Sequence, residues 1–485
     1  MTEDLPFASA TELAGRIRAG DLSPVTVVDA YLDRIEARND ALNAYVTVRR
    51  EAAREEARAA ERAVDAGGPL GPLHGVPVAV KDLFAYHAGT PHTFGSRVFE
   101  GFVPDRSAPV VERLVDAGAV VLGKTNTPEF GNRPTTDNDL VGTTVTPFDT
   151  GRVAGGTSGG SAAAVADGLA PLAQGSDAGG SIRIPAACCG VYGFKPSFGR
   201  VPNGNRPNAF DAHTPFVQHG PLARTVGDAA LFLDAVAGPH PDDPFTHPED
   251  GTDYRDAVDR SIAGLSVAYS PDLGLFPVDP AVESAVAETL DAFAAEGATV
   301  ERVEVSYGRS RAEILDAWRT YFQVLMAGVA TGIEAAHGVD LLDDHRERID
   351  DLFVRIVEAG RGHSVTDLQR ADVVRTAVYD TIRGIFAEYD LLVTPTLSVL
   401  PFETGSRGPT EIAGEPADPY LDWILSWVFN MTDHPAASVP GAFVEGLPVG
   451  VQLVGPRLED GVVLAASAAV ERRRPWLDRY PGSGG

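Results

Sequence analysis

Residues 155–161 read Gly155-Gly156-Thr157-Ser158-Gly159-Gly160-Ser161, and residues 175–185 read Gly175-Ser176-Asp177-Ala178-Gly179-Gly180-Ser181-Ile182-Arg183-Ile184-Pro185. One short run of small and apolar residues separates the two clusters. Glycine lets the backbone turn through angles that other residues avoid and come close to a ligand. A row of N–H groups at such a turn can hold a developing negative charge. Thr157, Ser158 and Ser181 place hydroxyls at the two turns. Glycine turns with hydroxyls of this kind suit nucleophilic acyl chemistry, with Ser181 attacking.

Strand and helix signals alternate outward from these clusters. Val76–Val80 is an apolar, strand-type run whose Pro77 belongs at a strand start or an edge, and Lys81 follows it. Val110–Ala117 reads as helix, Ala119–Leu122 as a buried strand, Lys124–Glu129 as a loop, and Ser161–Asp167 as a helix of small residues. Upstream, Ser9 and Glu12 predict a capping box, Ser23-Pro24 a second helix start, Asn43–Val48 a strand, and residues 49–66 a charged helix. Downstream, the pattern predicts a helix over Arg224–Ala237, strands near 265–269, 299–305 and 391–395, and mostly helix over 310–389. Residues 400–419 read as a Gly/Pro/acidic loop. Ala437–Phe443 and Leu447–Val454 form a hairpin about Glu445-Gly446, and a helix closes the chain over 459–472. This alternation predicts an α/β protein with its site on loops at strand ends.

Composition narrows the function classes. The chain has 485 residues, 44% hydrophobic and 22% charged, with a formal net charge of −28. Such a surface repels nucleic acid and anionic membranes, so neither is an expected partner. No apolar run reaches the roughly 18 residues of a membrane-spanning helix, and the acidic start lacks a signal peptide's basic region. A cytoplasmic protein is expected. The adjacent Cys188 and Cys189 are the only cysteines and read as reduced core thiols. Of 40 basic residues only Lys81, Lys124 and Lys195 are lysine. A desolvated lysine can act as a base near neutral pH, which arginine cannot.

Several motifs are absent. There is no HExxH and no cysteine pair with metal spacing, so no metal is expected. There is no GxxxxGK[ST], and no lysine has a serine three residues before it. Gly156-Thr157-Ser158-Gly159-Gly160 does match GxSxG, which offers Ser158 as a nucleophile elbow with His363 or His434 downstream. The competing reading joins Lys81, Thr157 and Ser181. At a reference pKa of about 10.4, only about one lysine in 2,500 is neutral at pH 7, and burial raises that share. A second hydroxyl could relay the proton, and the Ala178-Gly179-Gly180-Ser181 amides could hold an oxyanion.

The run from Gly155 to Ser197 resembles the signature of the amidase signature family. The resemblance extends to residues 74–84, 118–130, 220–238 and 434–455, and so covers nearly the whole chain. It implies a single α/β/α domain over 1–485, with a mixed, mostly parallel sheet covered by helices. Within it lie an N-terminal helical segment (1–66), the signature core (67–240) and a helical pocket region (310–430). It also implies a Ser–cis-Ser–Lys triad that cleaves carboxylic amides without a cofactor. Lys81 is then the base, Ser181 the nucleophile, and Thr157 stands at the bridging position where the family usually has serine. The family's cis peptide would fall at Gly156–Thr157, with Ser158 as the fallback hydroxyl. Asp177 and Arg183 match positions that brace the loop, whereas Lys124 and Lys195 read as structural. Phe130 and Gly131 resemble a pocket edge. Trp318, Tyr321, Phe322, Trp423, Trp427 and Phe429 serve either an acyl pocket or the core.

The first expectation is a stand-alone amidase acting on a small-molecule amide, similar to bacterial linear- and cyclic-amide hydrolases, and a homodimer is allowed. The glutaminase component of a tRNA-dependent amidotransferase and a non-catalytic binding relative are the alternatives.

Overall fold

A computed structural model describes residues 5–211, 217–249 and 251–482. Eleven strands form one sheet: β1 (Tyr45–Val48), β2 (Pro77–Lys81), β3 (Val120–Thr125), β4 (Leu172–Asp177), β5 (Tyr192–Lys195), β6 (Gln218–Ala223), β7 (Ser266–Tyr269), β8 (Thr299–Arg302), β9 (Leu391–Pro395), β10 (Ala436–Val444) and β11 (Leu447–Val454). Their order is β1-β3-β2-β4-β6-β5-β10-β11-β9-β7-β8. The sheet is mixed, as expected. It is not mostly parallel, because six of its ten neighbouring pairs are antiparallel. The parallel pairs are β3–β2, β2–β4, β9–β7 and β7–β8.

The parallel strands β2 and β4 position the site. Every residue of both is buried, as expected of parallel strands covered on two faces. Pro77 opens β2, where its missing N–H costs least. Because β2 and β4 run the same way, Lys81 at the end of one and Asp177 at the end of the other emerge on the same edge of the sheet. The C-terminal edge of parallel strands is the usual place for ligands in open α/β sheets.

Two short helices follow the glycine clusters. Helix α1 (Gly159–Ala166) packs on β2 and β4 and has only buried residues. Its glycines allow that close approach: a Cβ at Gly160 would stand 2.3 Å from the Asn126 amide nitrogen. Helix α2 (Arg183–Cys189) follows the second cluster and ends at Gly190 in the left-handed conformation. It holds Cys188 and Cys189, both free and buried. Burial pushes the Cys189 thiol up to about 12, so these cysteines pack as inert core groups.

The helical region comprises α3 (Arg311–His337), α4 (Asp351–Arg361) and α5 (Val365–Ile385). Ser310 and Glu313 cap α3 reciprocally. Helices α4 and α5 both pack on α3. The expected loop over 400–419 carries a small ribbon, Glu411–Ile412 against Glu415–Pro416. At the N-terminus Ser9 caps its helix through the Glu12 amide, whereas the Glu12 side chain bonds Arg16 instead of closing the box. Among the described residues no helix is long and apolar enough to cross a membrane.

Candidate active site

The Lys81 side chain is fully buried. Its amine is hydrogen-bonded to the Thr157 hydroxyl and lies 3.0 Å from Ser176 Oγ and 3.4 Å from the Ser176 carbonyl oxygen. Burial pulls the amine well below the ordinary lysine range, and the Asp177 charge only partly opposes this. The neutral form is thereby favoured. Sequence reasoning missed Ser176 as a partner. Its hydroxyl, inside the second glycine cluster, was the available signal.

Thr157 is almost completely buried and lines a cavity together with Ser176 and Ser181. Its turn is fixed from outside. The Gly156 amide donates to the Pro134 carbonyl at 2.8 Å, and the Thr136 hydroxyl donates to the Gly156 carbonyl at 2.8 Å. The cis peptide expected at Gly156–Thr157 is absent. Among the described residues the one cis bond is Arg206–Pro207, and Gly156 turns through a φ of +60° instead.

Ser158 is fully buried and stands outside the cavity lining. Its hydroxyl donates to the Ser176 carbonyl and accepts from the Ser176 amide, both at 3.3 Å. Its own amide donates to the Ser181 carbonyl at 3.2 Å, tying the two turns together. It therefore has neither a free oxygen for catalysis nor a face toward a substrate. The elbow reading fails on its histidines too. His434 bonds Thr432, His363 bonds Gln323, and neither lines this cavity.

The expected oxyanion loop divides. Ala178, Gly179 and Ser181 line the cavity, whereas Gly180 does not. The Gly180 amide is committed to Asp177 Oδ1 at 2.7 Å. Gly180 has a φ of +119°, and a Cβ there would stand 1.9 Å from Ser426 Oγ, so its role is steric. Among the described residues the Gly179 and Ser181 amides donate to no protein acceptor. Asp177 and Arg183 form a fully buried ion pair. Asn430, Gln452 and the Ser426 carbonyl complete it at 2.7–2.9 Å, partners that the sequence reading missed. Burial alone would raise Asp177, but the charge and hydrogen bonds of Arg183 hold it at about 2.

The cavity encloses about 310 Å³. Phe130 and Gly131 form part of its wall, and α3 contributes Trp318, Phe322 and Met326. Of the six aromatic candidates, Trp318, Phe322 and Trp427 line it, and the Trp318 and Trp427 rings stack 5.3 Å apart. Tyr321, Trp423 and Phe429 are buried elsewhere in the core. Lys124 bonds the Ala85 carbonyl, and Lys195 bonds the Pro196 carbonyl at 3.2 Å. Burial lowers both amines to about 8. Both hold backbone away from the cavity, in keeping with a structural role.

A buried amine, neighbouring hydroxyls and two unpartnered amides thus meet at a largely apolar cavity. The Amidase family model matches residues 26–464. An acylamidase of Rhodococcus erythropolis is 39% identical over 99% of this chain and 98% of its own length. The glutamyl-tRNA(Gln) amidotransferase of Chloroflexus aurantiacus has a subunit that is 35% identical over 99% of both chains. The crystal structure of a bacterial aryl acylamidase of the amidase signature family superposes with a TM-score of 0.93 at 37% identity, covering 98% of each chain. The chain belongs to the amidase signature family and is a hydrolase of amide C–N bonds.

Proposed function

We propose that the chain is a stand-alone acylamidase in which Ser181 is acylated, Lys81 is the base and Thr157 relays the proton between them. One observation carries the reading: the fully buried Lys81 amine is hydrogen-bonded to the Thr157 hydroxyl, which shares a cavity with Ser181. A neutral amine has two N–H bonds and one lone pair. The two hydrogens are directed at the Ser176 hydroxyl and carbonyl, which leaves the lone pair for the Thr157 proton.

In the first step Ser181 Oγ attacks the amide carbon. Its proton passes to Thr157, whose own proton passes to Lys81. The Gly179 and Ser181 amides hold the oxyanion, at about 3–4 kcal/mol for a well-placed donor. On collapse the C–N bond breaks, and the amine departs with a proton returned from Lys81 through Thr157. Water then attacks the acyl-enzyme by the same relay, releasing the acid and free Ser181. No step requires a cofactor or metal ion.

The apolar wall of Leu83, Phe84, Trp318, Phe322, Met326 and Trp427 supports an aryl or short-chain acyl amide as substrate. The two arginines that line the cavity are both paired with acids: Arg133 with Asp137 and Asp350, and Arg319 with Asp418. A glutamine substrate would bring its own carboxylate and ammonium, for which this lining holds no uncommitted counter-charge. That favours the acylamidase over the amidotransferase component. The net charge of −28 supports an enzyme without a nucleic-acid partner.

A panel of anilides, aliphatic amides and glutamine, followed by release of the acid and amine, tests this reading. Anilide cleavage that is abolished in Ser181→Ala supports it. Glutamine hydrolysis appearing only with an added partner protein would replace it with the amidotransferase.

A further inference from the structure

Asn132 lines the cavity, is 2% exposed, and among the described residues has no hydrogen-bond partner for either end of its carboxamide. Two other buried groups of that wall, Arg133 Nε and Trp427 Nε1, also lack a partner, but both are donors, so Asn132 Oδ1 is its unpartnered acceptor among the described residues. Thr157 and Ser176 meet Lys81, and the arginines meet acids. A buried amide left unpaired is costly, so such a group marks a place where a ligand completes the bonding.

The position of Asn132 narrows what that ligand offers. Asn132 lies two residues before Pro134, whose carbonyl accepts the Gly156 amide at 2.8 Å. The segment carrying Asn132 is thus fastened directly to the turn that presents Thr157. In the proposed reaction, on which this inference rests, Thr157 faces the departing nitrogen, while the carbonyl oxygen turns away toward Gly179 and Ser181. Thr157 must meet the nitrogen lone pair to protonate it, so the hydrogen on the scissile nitrogen points elsewhere and needs an acceptor of its own in a largely apolar wall.

We infer that Asn132 is a substrate-recognition residue: its side-chain oxygen accepts the N–H of the scissile secondary amide and makes the site select amides over the matching esters. An ester has oxygen where the amide has N–H. It leaves the Asn132 oxygen unsatisfied and gains nothing from it. Primary amides retain a hydrogen at that position and are accepted. Fully substituted amides, with no N–H, are disfavoured.

The test uses the 4-nitroanilide and the 4-nitrophenyl ester of one short acyl group, with the full chain and the variants Asn132→Leu, Asn132→Ala and Asn132→Asp. The expected result is a fall in anilide kcat/KM on the order of 10–100-fold in Asn132→Leu and Asn132→Ala, with ester kcat/KM nearly unchanged. Asn132→Asp keeps an acceptor oxygen and should recover part of the anilide rate. Retained ester turnover shows that each variant is folded, and Asn132→Ala serves if leucine does not fit. Equal losses on anilide and ester, or no loss on either, overturn the inference while leaving the triad intact. A wild-type chain that cleaves neither compound ends both this inference and the proposed function.

Discussion

Arg183 grips Asp177 through two hydrogen bonds of 3.0 Å, Nε to Oδ2 and Nη2 to Oδ1, with both side chains fully buried. Asp177 is also the acid whose charge opposes the lowering of the Lys81 pKa. By neutralising that carboxylate, Arg183 shields the Lys81 amine from a charge that would keep it protonated. The pair also shapes the loop that carries Ser181, because Asp177 accepts the Gly180 and Ile182 amides on either side of it.

Arg183→Met should therefore do two things. It leaves a buried carboxylate unpaired, which costs about 3–5 kcal/mol of stability. It also exposes Lys81 to the full Asp177 charge, so the acid limb of the kcat/KM profile moves to higher pH. The folded pKa of Asp177, about 2, lies below the ordinary 3.8. Its stabilising contribution is present above the ordinary value and is lost as the pH falls through about 2. Denaturant titrations from pH 7 down to 2 should show this loss in the wild type and a smaller one in the variant.

Thr157 differs from serine by a methyl group and keeps the hydroxyl that contacts Lys81. Thr157→Val preserves the shape and removes the proton relay, so kcat/KM should fall on the order of 10²–10⁴-fold. Thr157→Ser should retain activity of the same order as the wild type. Steady-state kinetics on one anilide distinguishes the two, and a valine variant with wild-type turnover would remove Thr157 from the reaction.

All three lysines are fully buried, so no lysine amine faces solvent. An amine-directed acylating reagent should modify no lysine in the native protein and all three after denaturation, as read by peptide mass spectrometry. Their folded values also lie below the ordinary 10.5: Lys81 well below it, Lys124 and Lys195 at about 8. Between the folded and ordinary values the unfolded chain binds protons that the folded one does not. Stability should accordingly rise with pH from about 8 toward 10. Lys81→Met should flatten part of that slope while abolishing activity.

The sequence disclosed the parts of the site whose chemistry requires unusual residues. Lysine is rare enough here that Lys81 stood out, and Gly180 is held by a conformation and a steric limit that no other residue meets. The hairpin about Glu445-Gly446 was legible because its turn needs two positive φ angles. Strands β4 and β6 were not legible. They are buried throughout yet carry Gln174, Ser176, Asp177, Gln218 and His219, so their burial left no apolar alternation. Several of these polar groups are satisfied across the sheet, as in the Gln174–His219 contact at 2.9 Å. The partners of Arg183 were equally hidden. Asn430 and Gln452 lie about 250 residues further along the chain, where only tertiary folding brings them near.

The division of labour within the oxyanion loop likewise came only from the fold. The sequence presents Gly179 and Gly180 as equivalent. Asp177 captures the Gly180 amide and leaves that of Gly179 open to the cavity.

The rate of covalent labelling by a fluorophosphonate, followed by intact-mass and peptide analysis, tests most directly whether a buried neutral amine at position 81 activates Ser181. The expected result is one adduct per chain, on Ser181, forming at least 100-fold more slowly in Lys81→Met and Thr157→Val, as expected for loss of a general base. Labelling at Ser158, or an undiminished rate at Ser181 without the amine, would contradict it.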